Sequence, residues 1–132
     1  MNDIELLQYV HETAEMGIQG LSSLDGQVRD EGLRRVLGQQ SAEYRRIADQ
    51  AEQLLRSLGE EPRDPGLLAK VSAEVLSTVK TLADPSPSNI AEMVIQGNTM
   101  GAAKSTRHLG DYSGCSREIR NLAERLLHTE EA

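Results

Sequence analysis

Residues 14–20 read Ala-Glu-Met-Gly-Ile-Gln-Gly, and residues 91–97 read Ala-Glu-Met-Val-Ile-Gln-Gly. Six of the seven positions agree, at an offset of 77 residues (91 − 14). Each copy lies in a segment whose apolar residues recur at three- and four-residue steps, which is the period of an amphipathic helix. A glycine-marked turn and a second helical segment follow each copy. The sequence therefore predicts a helical hairpin that occurs twice, with a long connection between the two copies.

The first hairpin is predicted over residues 3–58. Its first helix begins near Asp3 and ends at Leu24, where an Asp-Gly pair favours a turn. Its second helix ends before Gly59, and the two prolines that follow prevent the helix from resuming. The second helix carries a long stripe with a heptad-like step, made of Leu33, Leu37, Gln40, Tyr44, Ile47, Ala51, Leu54 and Leu58.

The remainder of the chain is predicted to form a crossover helix over residues 65–82 and a second hairpin over residues 87–132. The crossover helix has a short apolar stripe, and we expect it to pack over one side or one end of the bundle. Either Ser86 or Asn89 can cap the fourth helix. The last helix is predicted to begin after Ser116, with a stripe formed by Ile119, Leu122 and Leu126.

Length and composition indicate a single all-α domain spanning residues 1–132. A chain of 132 residues buries one core. It has no Trp, no Phe and three Tyr, so its core must be aliphatic. Such a core favours helices over sheets, which are rich in aromatic and β-branched residues.

Charge and hydropathy exclude two classes of partner. The net charge of −7 argues against nucleic acid, because nucleic-acid binders carry a basic surface. No apolar stretch approaches the roughly 20 residues that span a bilayer, and the acidic N-terminus differs from a signal peptide. One cysteine, Cys115, gives no reason to assume an oxidising compartment. We therefore expect a cytoplasmic protein without a membrane partner.

Four glycines lie inside the helical patterns: Gly17, Gly20, Gly97 and Gly101. Glycine in a helix interior costs up to about 1 kcal/mol relative to alanine, so a glycine there usually permits close packing. In the repeated-hairpin picture these glycines lie at equivalent heights on the first and fourth helices. We therefore expect those two helices to approach each other closely.

Two hairpins joined by a long crossover and related by an internal pseudo-twofold axis resemble the ferritin-like four-helix bundle. The second helix, with Gln40, Glu43 and Tyr44 in its middle and the ending from Leu54 to Gly59, is similar to that of small bacterial ferritin-like domains of unknown function. The resemblance covers nearly the whole chain. It implies an all-α ferritin-like bundle of two hairpins, with an extra short helix in the crossover.

The resemblance also implies a metal site built from carboxylates. Ferritin-like di-iron proteins place a glutamate on each of two helices and a Glu-x-x-His pair on the other two, and such ligands suit iron or manganese. Carried onto this sequence, the ligands are Glu15, Glu43, Glu92 and Glu131. The sequence departs from the pattern at Arg46, three residues after Glu43, where the family has histidine. A guanidinium pairs with a carboxylate and does not ligate a metal, and the position three after Glu131 lies beyond the sequence.

The three histidines and the cysteine supply no diagnostic motif. His11 precedes Glu15 by four residues, so the two side chains share one side of the first helix. His108 and His128 have no partner at a spacing that indicates a metal or catalytic site. Cys115 begins a helix, but no base partner is identifiable in the sequence.

Three functional hypotheses follow. The leading one is a non-catalytic, self-associating helical bundle with a structural or interaction role and no cofactor, in which Glu43 pairs with an arginine or is solvated. The alternative is an iron- or manganese-binding protein in iron handling or oxidative stress, in which the four glutamates converge on one interior point. The third is a small-molecule pocket in the bundle centre, with polar groups supplied by Gln40, Tyr44, Gln19 and Gln96.

Overall fold

The computed structural model describes residues 1–24, 28–63 and 86–131, and this part of the chain is helical without strands. The helices are α1 (Asp3–Leu24), α2 (Glu31–Ser57), α3 (Pro87–Asp111) and α4 (Arg117–Glu131). The all-α prediction and the extents of the four main helices are confirmed. The predicted crossover helix over 65–82 lies outside the described residues. Within the described ranges, no helix is both long and apolar enough to cross a membrane.

Side-chain caps explain where α2, α3 and α4 begin. The Asp30 carboxylate accepts a hydrogen bond of 2.8 Å from the backbone N–H of Leu33 at the start of α2. At the start of α3 it is Ser86, and not Asn89, that occupies the cap position, with a proline following it. The Ser116 hydroxyl accepts from a backbone N–H in the first turn of α4, as the sequence predicts. Each cap satisfies a donor that the helix leaves free.

The C-terminal end of α2 departs from the predicted stripe. Gly59 has φ of +79°, the left-handed conformation that favours glycine after a helix. Leu55 is fully buried, whereas Leu58 is 48% exposed. The heptad-like step assigns Leu58 to the buried stripe, but a straight helix has 3.6 residues per turn and drifts away from a seven-residue repeat. At this end of α2, Leu55 therefore occupies the buried position that the predicted stripe assigns to Leu58.

Contacts at the helix ends define the direction of each helix. Gln8, near the start of α1, bonds the backbone of Glu61 and Arg63 just after α2. The Met1 ammonium donates to the Asp111 carbonyl oxygen at 2.8 Å, which places the end of α3 at the same end of the bundle. Since α2 and α3 both end beside the start of α1, they run in the same direction. The end of α2 and the start of α3 therefore lie at opposite ends of the bundle.

The core is mainly aliphatic, as the composition predicts. A large cluster joins α1, α2 and α4, and a smaller one joins α1, α2 and α3 near the end of α1. Helix α4 packs against the other three helices, whereas α2 and α3 hardly contact each other. The fully buried large side chains include Leu6, Leu7, Val10, Ile47, Leu55, Ile90 and Leu126.

Two glycines inside the helices make contacts other than the expected close approach of α1 and α3. A Cβ atom on Gly17 would lie 2.8 Å from the Tyr44 ring of α2, and a Cβ on Gly101 would meet the Glu130 carboxylate of α4. Each glycine thus makes room for a side chain from the partner helix of its own hairpin. The direct contact between α1 and α3 is slight, so the predicted close approach of those helices is wrong.

The two copies of the repeated stretch lie in different environments. Both are helical. Ile18 is 8% exposed and belongs to the large core cluster, whereas its sequence equivalent Ile95 is 61% exposed. The repeat therefore marks two helices without giving them equivalent packing.

Candidate functional site

The predicted metal ligands contact separate partners. A Glu15 carboxylate oxygen lies 3.9 Å from Nε2 of His11, and Glu131 lies 3.9 Å from Nδ1 of His128 in an exposed pair. Glu92 is exposed on α3. Among the described residues, no three His, Cys, Asp or Glu side chains form a group that could hold a metal ion. An iron or manganese centre therefore stays a prediction from the resemblance.

The remaining predicted ligand, Glu43, lies between two arginines. One carboxylate oxygen accepts from Nε of Arg46 at 3.0 Å, and the other accepts from Nη2 and Nε of Arg125 at 3.0 and 3.3 Å. Arg125 also donates to the Gln50 side chain. Burial acts to raise the pKa of Glu43, but the two arginines outweigh it and hold the pKa below its ordinary value. The predicted pairing of Glu43 with an arginine is confirmed.

Glu130 is the polar residue that the sequence analysis missed. It is 4% exposed on α4, and its carboxylate accepts a hydrogen bond from the Ser105 hydroxyl of α3. The Tyr9 hydroxyl of α1 lies 3.0 Å from the same Ser105 oxygen. Three helices therefore meet at a buried carboxyl–hydroxyl cluster formed by Glu130, Ser105 and Tyr9.

The pKa values in this cluster follow from burial. Burial raises the pKa of Glu130 to about 7, the charge of Glu131 adds to that rise, and the Ser105 hydrogen bond opposes it. Burial is likewise the main cause of the raised pKa values of Tyr9 and Tyr44, and the Glu130 charge adds to both. In the described part of the chain no cation is paired with Glu130, and the Ser105 hydrogen bond is the contact that opposes the rise in its pKa.

The sequence does contain a signal for Glu130. It follows Leu126 by four residues and Ala123 by seven, so it continues the apolar stripe of α4. An acidic residue on such a stripe indicates a buried carboxyl. The register taken from the ferritin-like pattern selected Glu131 instead, which is exposed.

Two histidine nitrogens are buried without a hydrogen-bond partner in the described part of the chain: Nδ1 of His11 and Nδ1 of His108. The His108 ring packs edge-on against the Tyr9 ring, with 3.9 Å between ring centroids. Burial lowers the pKa of His108. We infer that His108 extends the interior polar region as a neutral ring.

A groove of about 510 Å³ lies where α2 and α3 fail to meet, beside the end of α4. In its polar part, Nε2 of Gln40 donates to the Thr129 carbonyl oxygen at 3.0 Å, and the Tyr44 hydroxyl donates to Oδ1 of Asn98 at 3.4 Å. Two amides from the hypothesis of a central pocket lie elsewhere, since Gln96 is exposed and Gln19 lies on α1. The groove-lining residues include Leu33, Val36, Leu37, Gln40, Val94 and Asn98.

Comparison with protein-family models, with curated proteins and with solved structures finds no match to this chain. The ferritin-like resemblance therefore stays a prediction from the sequence pattern, and the structure shows four helices in the described part of the chain. The function of the protein is therefore inferred from the contacts and charges of the described residues.

Proposed function

We propose that the protein is a non-catalytic helical bundle that acts through association, and that its partner is a second copy of this chain. The main supporting observation is the composition of α3. From Pro87 to Ala103, Glu92 is the only ionisable side chain, although 27% of the whole chain is charged. A solvent-facing helix normally carries charges on its outer side.

The outer side of α3 also exposes large apolar groups. Ile95 is 61% exposed and Met100 is 74% exposed. At 100° per residue these two side chains border a face that also contains exposed Gln96, Thr99 and Ala103. The exposed Glu92 lies in the same angular range one turn earlier on α3. We define Ile95, Gln96, Thr99, Met100 and Ala103 as the α3 face. Interface cores are depleted of charged residues and enriched in methionine, which matches its composition.

Electrostatics favours a second copy as the occupant of the α3 face. Two molecules that each carry a net charge of −7 repel each other over most orientations. This repulsion is weakest where the α3 face of one molecule, which is uncharged from Ile95 to Ala103, meets the same face of the other. A twofold axis produces that pairing, because an isologous dimer uses the same patch on both subunits.

The interior cluster supports a non-catalytic role. Glu130 and Ser105, the carboxyl and hydroxyl best placed for acid–base chemistry, are only 4% and 2% exposed. The Glu43 carboxylate forms ion pairs with two arginines. These groups are therefore engaged in contacts within the bundle and do not face a substrate.

Light scattering coupled to size-exclusion chromatography tests this proposal. We expect a concentration-dependent mass that rises from 14.5 kDa towards twice that value. Gln96→Arg combined with Thr99→Arg puts charges on the α3 face and should restore the monomer mass. Gln53→Arg, at an exposed position of α2, is the matched control and should leave the dimer intact. A wild-type monomer at all concentrations, or equal effects of the test and control variants, would refute the proposal.

A further inference from the structure

The groove between α2 and α3 has the size and lining of a small-molecule site. Its volume of about 510 Å³ lies within the range of roughly 300–1,000 Å³ that is typical of such sites. Its α2 wall includes Leu33 and Leu37, and its α3 wall includes Ala91 and Val94. Apolar walls of this kind accommodate an aliphatic or alicyclic body.

Two amides in the groove each retain one hydrogen-bonding atom without a protein partner. Nε2 of Gln40 is engaged by the Thr129 carbonyl, so Oε1 is the atom left as an acceptor. Oδ1 of Asn98 is engaged by the Tyr44 hydroxyl, so Nδ2 is left as a donor. Within the described residues neither remaining atom is bonded, and neither is sealed from solvent. The groove thus presents an acceptor at Oε1 of Gln40 and a donor at Nδ2 of Asn98, and each amide nitrogen has a second N–H that adds to the donors.

The charged groups at one end of the groove do not favour an ionic ligand. Glu43 and Arg125 line the groove, but they are hydrogen-bonded to each other. His128 also lines this end, and its side chain is 76% exposed. A carboxylate entering the groove would meet the Oε1 acceptor of Gln40 and would gain no unpaired buried cation in return. The lining therefore selects for a neutral molecule.

We propose that this groove binds a small neutral molecule with an aliphatic body and a primary-amide head. The amide oxygen accepts from Nδ2 of Asn98, and the amide N–H donates to Oε1 of Gln40. An alcohol also donates and accepts, but it does both from a single oxygen atom, whereas an amide presents donor and acceptor on two separate atoms; a carboxylate cannot donate at all. The site is separate from the α3 face except at Ile95, so the proposal does not depend on self-association.

The test uses three probes that share one aliphatic chain: octanamide, octanol and octanoate. Each is titrated into the ¹⁵N-labelled full chain, and binding is followed by the side-chain NH₂ resonances of Asn98 and Gln40. We expect saturable binding of octanamide that is about tenfold tighter than that of octanoate, because one well-formed hydrogen bond contributes about 1 kcal/mol and burying a charge costs more. Equal affinities for octanamide and octanoate, or no saturable binding of octanamide, would overturn the proposal.

Variants locate the binding site. Asn98→Leu removes the donor and should weaken octanamide binding by about tenfold. Asn121→Leu, at an exposed position of α4, is the matched control and should have no effect. Val94→Phe fills the groove and should abolish binding of all three probes, which keeps the test valid if Asn98→Leu misfolds. Unchanged octanamide affinity in Val94→Phe would place the binding elsewhere and contradict the assignment.

Discussion

The carboxylate of Glu130 on α4 lies against Gly101 on α3, in the space that a side chain at position 101 would occupy. The absence of a Cβ atom thus allows the buried carboxyl to reach the Ser105 hydroxyl one turn further along α3. This contact fixes the last turn of α4 on α3. It also explains why a glycine occupies position 101 inside α3, where it forms no turn and costs helix stability relative to alanine.

Replacing Gly101 with alanine should therefore destabilise the bundle. The methyl group would displace the Glu130 carboxylate and break its Ser105 hydrogen bond, at an expected cost of roughly 1–3 kcal/mol in the free energy of unfolding. Urea denaturation monitored by circular dichroism measures this change.

Gly97→Ala provides the matched control, because no atom lies within 4 Å of a Cβ built at that position. It should stabilise the protein by up to about 1 kcal/mol through helix propensity alone. Stabilisation of similar size by Gly101→Ala would contradict the close contact between Glu130 and Gly101.

Glu130 should make the protein less stable as the pH rises towards neutrality. Its pKa is about 7 in the folded chain against an ordinary value of 4.5, so the folded state binds more protons between these values. The free energy of unfolding should then fall between about pH 4.5 and pH 7, by at most roughly 3 kcal/mol, and this contribution should be constant above that window.

Glu130→Gln should remove this slope, because glutamine keeps a hydrogen-bond acceptor for Ser105 and does not titrate. The variant should match the wild type near pH 4.5 and exceed its stability near pH 8, as measured by urea denaturation across that range. Glu131→Gln, at the exposed neighbouring position, should retain most of the slope. An unchanged slope in Glu130→Gln would show that another group is responsible.

The Glu43 ion pairs should have the opposite pH dependence. Because its pKa lies below the ordinary value, their contribution is present above that ordinary value and is lost as the pH falls through the folded-state pKa. A double-mutant cycle with Glu43→Gln and Arg125→Met should give a coupling energy of about 0.5–1 kcal/mol that decreases with added salt, since both side chains are about one-third exposed. A coupling energy of zero at low salt would argue against this contact.

Ferrous iron offers a direct test of the alternative function. With Glu43 paired to arginines and no group of three potential metal ligands among the described residues, we expect anaerobic iron to leave the melting temperature unchanged. Differential scanning fluorimetry with and without iron measures this. A rise in melting temperature that is lost in Glu43→Ala would instead support the metal hypothesis, because a ligand of the folded state stabilises it.

The sequence predicts those features of the structure that depend on residues close to one another in the chain. Caps, prolines and glycines predict the helix ends. The position of Arg46 three residues after Glu43 predicts the ion pair between these two side chains. The partner Arg125 is 82 residues away in sequence, so no local spacing could reveal it. The burial of Ile18 and the exposure of Ile95 likewise depend on which helices pack together, which two nearly identical heptapeptides do not encode.

The distance between the α3 helices of two molecules in solution is the most direct measure of association through the α3 face. In a Cys115→Ser background, a spin label at Thr99→Cys lies on the α3 face, and a label at Gln53→Cys lies on the exposed side of α2. Packed helices lie about 8–10 Å apart, so pulsed electron paramagnetic resonance should give an intermolecular distance of roughly 20 Å or less at position 99 and a longer one at position 53. The absence of an intermolecular distance at position 99, or a shorter one at position 53, would contradict association through α3.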